Sequence, residues 1–183
     1  MQFVVDAVIE AIQGAVPGLA QIETYAGQFA SDGPNRTLVS APAVFLTVLD
    51  APYANDQAGD GRQSFDLRLA AYCLARNAKG AANRAGDAMS LATAVALLVP
   101  QAHWELGAQV DGARLEGMQN QFVAALDNKG LGLWSVTWRQ VVHLGESIWA
   151  GSQITPTEVW LGVLPESYPE DYTLIAEAPD VSA

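Results

Sequence analysis

The segment from Leu131 to Leu144 constrains the fold more than any other part of the chain, because apolar and polar residues alternate along most of it. Its two sets of alternating residues are Trp134, Val136, Trp138 and Val142, and Ser135, Thr137, Arg139 and His143. Successive side chains of a β-strand point to opposite faces of the sheet. The pattern therefore predicts a long strand with one apolar face and one more polar face.

Two further segments have the composition of strands. Ala43 to Leu49 is rich in β-branched and other apolar residues on both faces, which is typical of a central strand in a covered sheet. Phe65 to Cys73 alternates, and this pattern predicts a strand that begins half exposed and ends buried. The residues between them, Asp50 to Gly61, contain proline, asparagine and glycine and predict a flexible connection between strands.

Three weaker segments are also predicted to be extended. They are a short piece at Gln21 to Tyr25, a strand within Gln109 to Val123, and a strand at Glu158 to Leu164. Polar residues at 31–35, 77–80 and 127–130 predict a loop and two turns.

Two segments have the apolar spacing of helices. Phe3 to Val16 keeps Asp6 and Glu10 away from its apolar face, and Ala81 to Val99 ends at Pro100. The second helix has an apolar face of mostly small residues, namely Ala85, Ala88, Met89, Ala92, Val95, Ala96 and Val99. Small residues allow close approach, so we expect this helix to pack flat across a sheet.

The order of these elements is helix, strands, helix, strands. Consecutive strands without intervening helices usually pair directly, so we predict an α+β fold in which two main helices flank an antiparallel or mixed sheet. We assign this domain to residues 1–144. Residues 145–183 form a separate acidic arm, because no Lys or Arg follows Arg139 whereas seven acidic residues do: Glu146, Glu158, Glu166, Glu170, Asp171, Glu177 and Asp180.

Composition narrows the classes of protein. The chain has 183 residues, and 50% of them are hydrophobic, which suffices for one core without disulfides or a structural metal. The lone Cys73 is predicted to be a buried thiol in a reducing compartment. No Lys or Arg precedes Arg36, so we expect no secretory signal, and no apolar stretch reaches the ~20 residues of a membrane span.

Charge argues against nucleic-acid binding. Nine basic and 20 acidic residues give a formal net charge of -11. A field of this sign repels the phosphate backbone, so we expect no tight binding to DNA or RNA.

Catalytic residues are few. The only histidines are His103, predicted to be exposed, and His143, predicted to lie on the more polar face of its strand, where a metal would need carboxylates from elsewhere. No serine lies in a Gly-x-Ser-x-Gly motif, Cys73 lies within a strand, and Gly130 to Gly132 lacks the order of a nucleotide-binding loop. We therefore predict that the chain is not an enzyme and holds no cofactor or metal.

An interaction role remains, and the tryptophans favour it. Trp149 and Trp160 lie in the acidic arm, where burial in a core is harder to arrange, so both are candidates for an interface. The alternative is that the arm folds back on its own domain.

Four short motifs carry a family resemblance. They are Ala41 to Leu46, Tyr72 to Asn77, Arg84 to Ala88 and Leu133 to Trp138. In their order and spacing they resemble the tail terminator (tail completion) proteins of Mu-like phages, which are encoded just ahead of the tail sheath and tube genes. The resemblance covers roughly residues 1–144, and the arm lies outside it.

This resemblance implies a structural virion protein of a long-tailed bacteriophage, assembled in the host cytoplasm. A tail terminator forms a hexameric ring that caps the tail tube, stops its growth and offers a surface to the head-tail connector protein. The implied partners are other copies of the chain, the tail tube protein, the connector and the tail sheath, and DNA passes through the ring without specific binding.

Within a ring, the loop from Asp50 to Gly61 is expected to contact neighbours or the tube. Tyr53, Asp56 and Arg62 are the interface candidates in and beside this loop. Two alternatives stay open: a head-to-tail connector or stopper protein, and a small hydrolase, which would require a buried pair of carboxylates in a cleft.

Overall fold

The computed structural model describes residues 1–26, 40–76, 81–121, 130–149, 158–161 and 173–177. The chain divides into two compact units, Met1–Gly145 and Glu146–Ala183. Each unit is considered by itself. The predicted loop at 31–35 and the turn at 77–80 lie outside the described residues, as does most of the turn at 127–130.

The first unit is built on a mixed five-stranded sheet. Its strands are β1 (Gln21–Thr24), β2 (Ala43–Asp50), β3 (Gln63–Arg76), β4 (Arg114–Asn120) and β5 (Leu131–Leu144). They lie in the order β1-β2-β3-β5-β4, with β1 parallel to β2 and the other neighbours antiparallel. The strand predicted at Leu131 to Leu144 is confirmed, and it pairs with β3 from Gln63↔Leu144 to Arg76↔Leu131.

Two helices cover one face of this sheet, so the predicted α+β class is confirmed. Helix α1 spans Gln2–Ala15 and helix α2 spans Ala81–Leu98. The main core lies between helices and sheet. From α1 it takes Val4, Val8 and Ile12; from α2 it takes Ala92, Val95 and Ala96; and from β3 and β5 it takes Leu69, Ala71, Cys73, Val136 and Trp138.

One residue of the predicted α2 face is placed differently. Ala88, Ala92 and Val95 are fully or almost fully buried, but the Met89 side chain is 45% exposed. Met89 is one residue, or about 100° of helix rotation, beyond Ala88, which puts it at the margin of the buried stripe. The stripe that packs on the sheet is therefore narrower than the sequence pattern indicates.

The opposite face of the sheet is apolar at one end only. Ala43, Phe45, Leu74, Leu131 and Leu133 form a small buried cluster there, against which Tyr25 and Tyr72 pack. At the other end the same face carries charged residues of β3 and β5. This polar end, together with the loops beside it, is where the candidate site lies.

Strand β4 lies within the stretch Gln109 to Val123 in which a strand was predicted. Ahead of it, residues Gly107–Gln109 form a short 3-10 helix and Val110 makes only an isolated bridge to Val142. The strand itself begins at Arg114 because the turn residues Asp111 and Gly112 come first. Residues 122 and 123 lie outside the described part of the chain.

The second unit contains a two-stranded antiparallel sheet of β6 (Glu158–Leu161) and β7 (Thr173–Glu177). Strand β6 lies within the predicted segment Glu158 to Leu164, whereas no strand was predicted at β7. The five residues of β7 are bracketed by acids and prolines, which are rare in strands. No helix within the described ranges is long and apolar enough to cross a membrane.

Candidate functional site

The loop between β2 and β3, residues 51–62, is fixed to the first residues of β3. Backbone bonds join Ala54 N to Ser64 O and Asp66 N to Pro52 O, each at 2.9 Å. The side-chain amide of Gln57 accepts from Ser64 N at 2.9 Å and donates to Ser64 O at 3.4 Å, so it replaces a strand partner there. A loop predicted to be flexible is thus hydrogen-bonded along the end of the sheet.

Arg62 ties this loop to the loop between α2 and β4, residues 99–113. Its Nε donates to Asp60 Oδ2 at 2.7 Å, and its Nη1 donates to the Ala108 carbonyl at 2.7 Å. The side chains of Arg62 and Asp60 are only 17% and 12% exposed. The ion pair therefore satisfies both charges within the subunit.

The 99–113 loop is held on β5 by a buried glutamine. Gln140 is fully buried, accepts from Trp104 Nε1 at 2.7 Å, and donates to the carbonyls of Ala102 at 3.0 Å and Asp111 at 2.8 Å. The loop contains non-glycine residues with positive φ at Gln101, Trp104 and Glu105. Such residues cost free energy and persist only where the surroundings hold them, which is what the Gln140 bonds do.

A second polar cluster joins β3, β5 and the 99–113 loop. Ser64 Oγ lies 2.8 Å from His143 Nδ1, and His143 Nε2 lies 3.2 Å from Asp111 Oδ1. A carboxylate can only accept, so Nε2 carries the proton in that bond and Nδ1 of a neutral ring accepts from the serine hydroxyl. His143 does lie on the more polar face of its strand, as predicted.

The same three residue types make a hydrolytic triad, but this order is unsuited to it. Ser64 is fully buried, and its Oγ also accepts from Ala58 N at 3.3 Å, whereas the Asp111 side chain is 58% exposed. A nucleophilic serine must meet the substrate, so it belongs at the solvent end of the triad. Here the order is inverted, and the cluster fastens the loops to the sheet.

Both histidines line one cleft, with a volume of about 670 Å³, between the two loops. Asp56, Arg62 and Asp111 also line it. His103 is exposed, as predicted, and its Nδ1 lies 3.1 Å from the Val110 carbonyl. Among the described residues, no group of three or more His, Cys, Asp or Glu is arranged to hold a metal ion.

The charged end of the open sheet face is an ion-pair network. Glu116 accepts from Arg68 Nε at 2.8 Å and from Arg139 Nε at 2.9 Å, and Arg139 also bonds Asp66 at 3.1 Å. The hydrogen bond from Arg68 lowers the pKa of Glu116 below its ordinary value, partial burial opposes this, and the bond from Arg139 adds to it. The network neutralises arginines that would otherwise face each other across the strands.

The five interface candidates differ in exposure. Tyr53 is 56% exposed, its ring contacts Phe65 edge-on, and Asp56 is exposed. Arg62 is the exception because Asp60 and Ala108 occupy its guanidinium. In the second unit, Trp149 is 64% and Trp160 50% exposed. The structure brings Asp56 and Arg62 to the same cleft.

Cys73 is buried in the main core, as predicted. Burial raises the pKa of its thiol to about 12. The thiolate that a nucleophile or metal ligand needs is therefore scarce at neutral pH.

A comparison with protein families decides the affiliation of the chain. The profile of the family described as "Bacteriophage Mu, Gp37" matches residues 2–142. The chain belongs to this phage family. The match covers almost the whole Met1–Gly145 unit and stops before the arm. Both loops and the network of Arg68, Glu116 and Arg139 lie within the matched residues, and His143 lies just beyond them. No curated protein matches the chain.

Membership in the Mu Gp37 family supports a structural protein of a bacteriophage. The resemblance to Mu-like phages drawn from the short sequence motifs is confirmed at that level.

Proposed function

We propose that this protein is a tail terminator. Six copies form a ring that caps the finished tail tube, stops its polymerisation and presents a surface to the head-tail connector. The observation that carries the proposal is the match to the Mu Gp37 family across residues 2–142. Its place is the virion, at the neck of the tail, after assembly in the host cytoplasm.

The surfaces of the first unit support an assembly role. Exposed Tyr53 and Asp56 lie on a loop that hydrogen bonds hold in place, so they offer a contact surface at low entropic cost. The tail tube protein, the connector and the tail sheath are the proposed partners. A formal net charge of -11 suits a ring through which DNA slides without being gripped.

We propose no catalytic activity and no bound cofactor. The serine of the Ser64–His143–Asp111 cluster is buried, and the buried carboxylate Asp60 is neutralised by Arg62. Neither the cluster nor the Asp60–Arg62 ion pair provides the two buried carboxylates that the hydrolase hypothesis requires.

Solution mass tests the proposal. Light scattering on a size-exclusion column would measure the purified full-length protein alone and mixed with purified tail tube protein. We expect the protein to form a ring either by itself or once tube ends are present. We also expect tubes to stop growing in length once the protein is added to them. Bovine serum albumin in place of the tube protein is the control for nonspecific association.

Two outcomes would contradict the terminator role. A protein that stays monomeric and does not bind the tube would refute the terminator role. A ring that ignores the tube but binds the connector or the portal side of the neck would favour the connector or stopper alternative.

A further inference from the structure

Within the described residues of the Met1–Gly145 unit, no strand pairs with the outer edge of β4. Strand β4 is the last strand of the sheet and spans seven residues. Gln121 N donates to Leu133 O at 3.0 Å, which fixes the alternation of the ladder, so the backbone N–H and C=O groups of Met118 and Asn120 point away from β5. An open edge of this kind is a template for another strand.

The other edge of the sheet is less suited to that role. Strand β1 spans four residues and carries Glu23, whereas β4 begins at the exposed Arg114 and carries Leu115, which is 41% exposed. A longer, partly apolar edge with a cation at its end favours an acidic, partly apolar strand as its partner.

The charge on β4 belongs to a row of arginines. The strand register aligns Arg68 of β3 with Arg139 of β5, and Arg139 with Arg114 of β4. Glu116 and Asp66 neutralise Arg68 and Arg139, whereas Arg114 makes no ion pair with any residue in the described ranges. Like charges at opposed positions destabilise a sheet, so the Arg114 end favours a carboxylate from outside the unit.

The second unit contains a strand pair with acidic residues and no basic residue. Its register pairs Glu158 of β6 with Glu177 of β7, and the sequence from Glu146 to Ala183 contains no Lys or Arg. Two acids at opposed positions destabilise the pair, and a two-stranded sheet alone is marginal in water. Exposed Trp160 adds apolar surface beside the acids.

We infer that the β6–β7 hairpin of one copy adds to strand β4 of a second copy, extending the neighbour's sheet with the Glu158–Glu177 end directed toward Arg114. The inference rests on the proposed ring, because a ring joins two different surfaces of each subunit, and an open edge and a hairpin are such a pair. The hairpin gains hydrogen-bond partners for its backbone. Arg114 gains carboxylates nearby, and Glu158 and Glu177 gain a cation.

Charge reversal in full-length protein tests the contact. Arg114→Glu and the double variant Glu158→Arg/Glu177→Arg would each be measured for self-association by light scattering, alone and with tail tube protein. Each is expected to weaken association about tenfold or more, because attraction becomes repulsion. Glu10→Arg, on the exposed side of α1, is the control for a general charge effect.

Mixing the two variants separates contact between copies from contact within one chain. If the hairpin binds a neighbour, an equal mixture restores assembly, because each reversed edge meets a reversed hairpin from the other protein. If the hairpin binds its own chain, the mixture stays weak and only the combined variant Arg114→Glu/Glu158→Arg/Glu177→Arg recovers. That second outcome would overturn the inference.

A backbone variant tests the strand pairing itself. Asn120→Pro removes an N–H that points out of the sheet while sparing the bonds to β5, and Asn120→Ala keeps that N–H. We expect the proline variant alone to lose assembly, with circular dichroism verifying that both fold. If the proline variant fails to fold, the charge-reversal mixture still decides.

Failure of this inference is distinguishable from failure of the proposed function. Assembly of every variant as well as wild type would overturn the hairpin contact and leave the terminator role standing. A wild-type protein that assembles neither alone nor on tube ends would overturn both.

Discussion

At the scale of single residues, Gln140 decides how the candidate site is held. It is a fully buried amide whose polar atoms are all hydrogen-bonded. Its oxygen accepts from the Trp104 indole, and its nitrogen donates to the carbonyls of Ala102 and Asp111. Because the 99–113 loop contains left-handed non-glycine residues, it needs such an anchor to keep its shape. The cleft between the two loops therefore depends on a residue that does not line it.

Replacing Gln140 by methionine is expected to destabilise the fold. Gln140→Met keeps the volume but leaves the Trp104 indole N–H and the Asp111 carbonyl without that partner, whereas the Ala102 carbonyl keeps its bond from Ala113 N. We expect a cost of about 2–4 kcal/mol. Urea unfolding followed by circular dichroism would measure the loss. Gln109→Met, at an exposed position, should change the free energy of unfolding by about 0.5 kcal/mol or less; equal effects of the two would refute the anchor role.

Glu116 is expected to make stability depend on pH. Its pKa is lowered in the folded state from an ordinary value of 4.5, chiefly by the hydrogen bond from Arg68. A lowered pKa stabilises the fold fully above the unfolded value, and this contribution is lost as pH falls through the folded value. The network therefore contributes at neutral pH and fades in acid below 4.5.

Unfolding experiments on Glu116→Gln would check this dependence. The variant should be less stable than wild type at pH 7, and the difference should shrink as pH falls below 4.5. Glu10→Gln, at an exposed position on α1, is the matched control and should show no such convergence. A difference that stays constant with pH would mean that the ion pairs contribute nothing.

At the scale of elements, helix α2 depends on small residues. Ala88 and Ala92 are fully buried, and with Val95 they belong to the stripe that packs on β3 and β5. Alanine places the helix backbone close to the sheet, so no space remains for a longer side chain.

Ala92→Leu is expected to overpack this contact. Inserting a leucine into a filled core costs about 1–3 kcal/mol. Thr93→Leu introduces the same residue one position later on the exposed side, and it should change the free energy of unfolding by about 0.5 kcal/mol or less. Thermal unfolding of both variants decides; tolerance of Ala92→Leu would show that the helix stands away from the sheet.

Elements with strong periodicity were predicted most fully, and the three weaker extended segments each contain an observed strand, β1, β4 or β6. Strand β5 was correct to its end residues because alternation from Trp134 to Val142 is nearly unbroken. Strand β7 was missed because five residues among acids and prolines carry too little pattern. For β4, a strand was predicted within Gln109 to Val123 but its end residues were not, because the alternation in that stretch is weak.

The site was less predictable than the fold. Alternation along β5 does place Gln140 on the apolar face with Trp138 and Val142, so a buried amide there was detectable. The Ser64–His143–Asp111 cluster was not, because it joins residues 79 and 32 positions apart in sequence. Only the strand register brings such residues together, and no local pattern encodes it.

At the scale of the whole molecule, the two units differ in the size of their sheets. The Met1–Gly145 unit has a five-stranded sheet and a buried core that runs from Val4 to Val142, within the region matched by the phage family. The described part of the Glu146–Ala183 unit has a two-stranded sheet and two exposed tryptophans. Its stability is therefore expected to depend on what it contacts.

Hydrogen exchange at two protein concentrations tests that dependence. In dilute, unassembled protein, the amides of β3 and β5 should exchange slowest, whereas those of β6, β7, Met118 and Asn120 exchange fast. Above the concentration at which copies associate, the second group should become protected and the first should change little, which makes the core an internal control. Protection of the hairpin already in the monomer would contradict this, since the hairpin would then be complete without a neighbour.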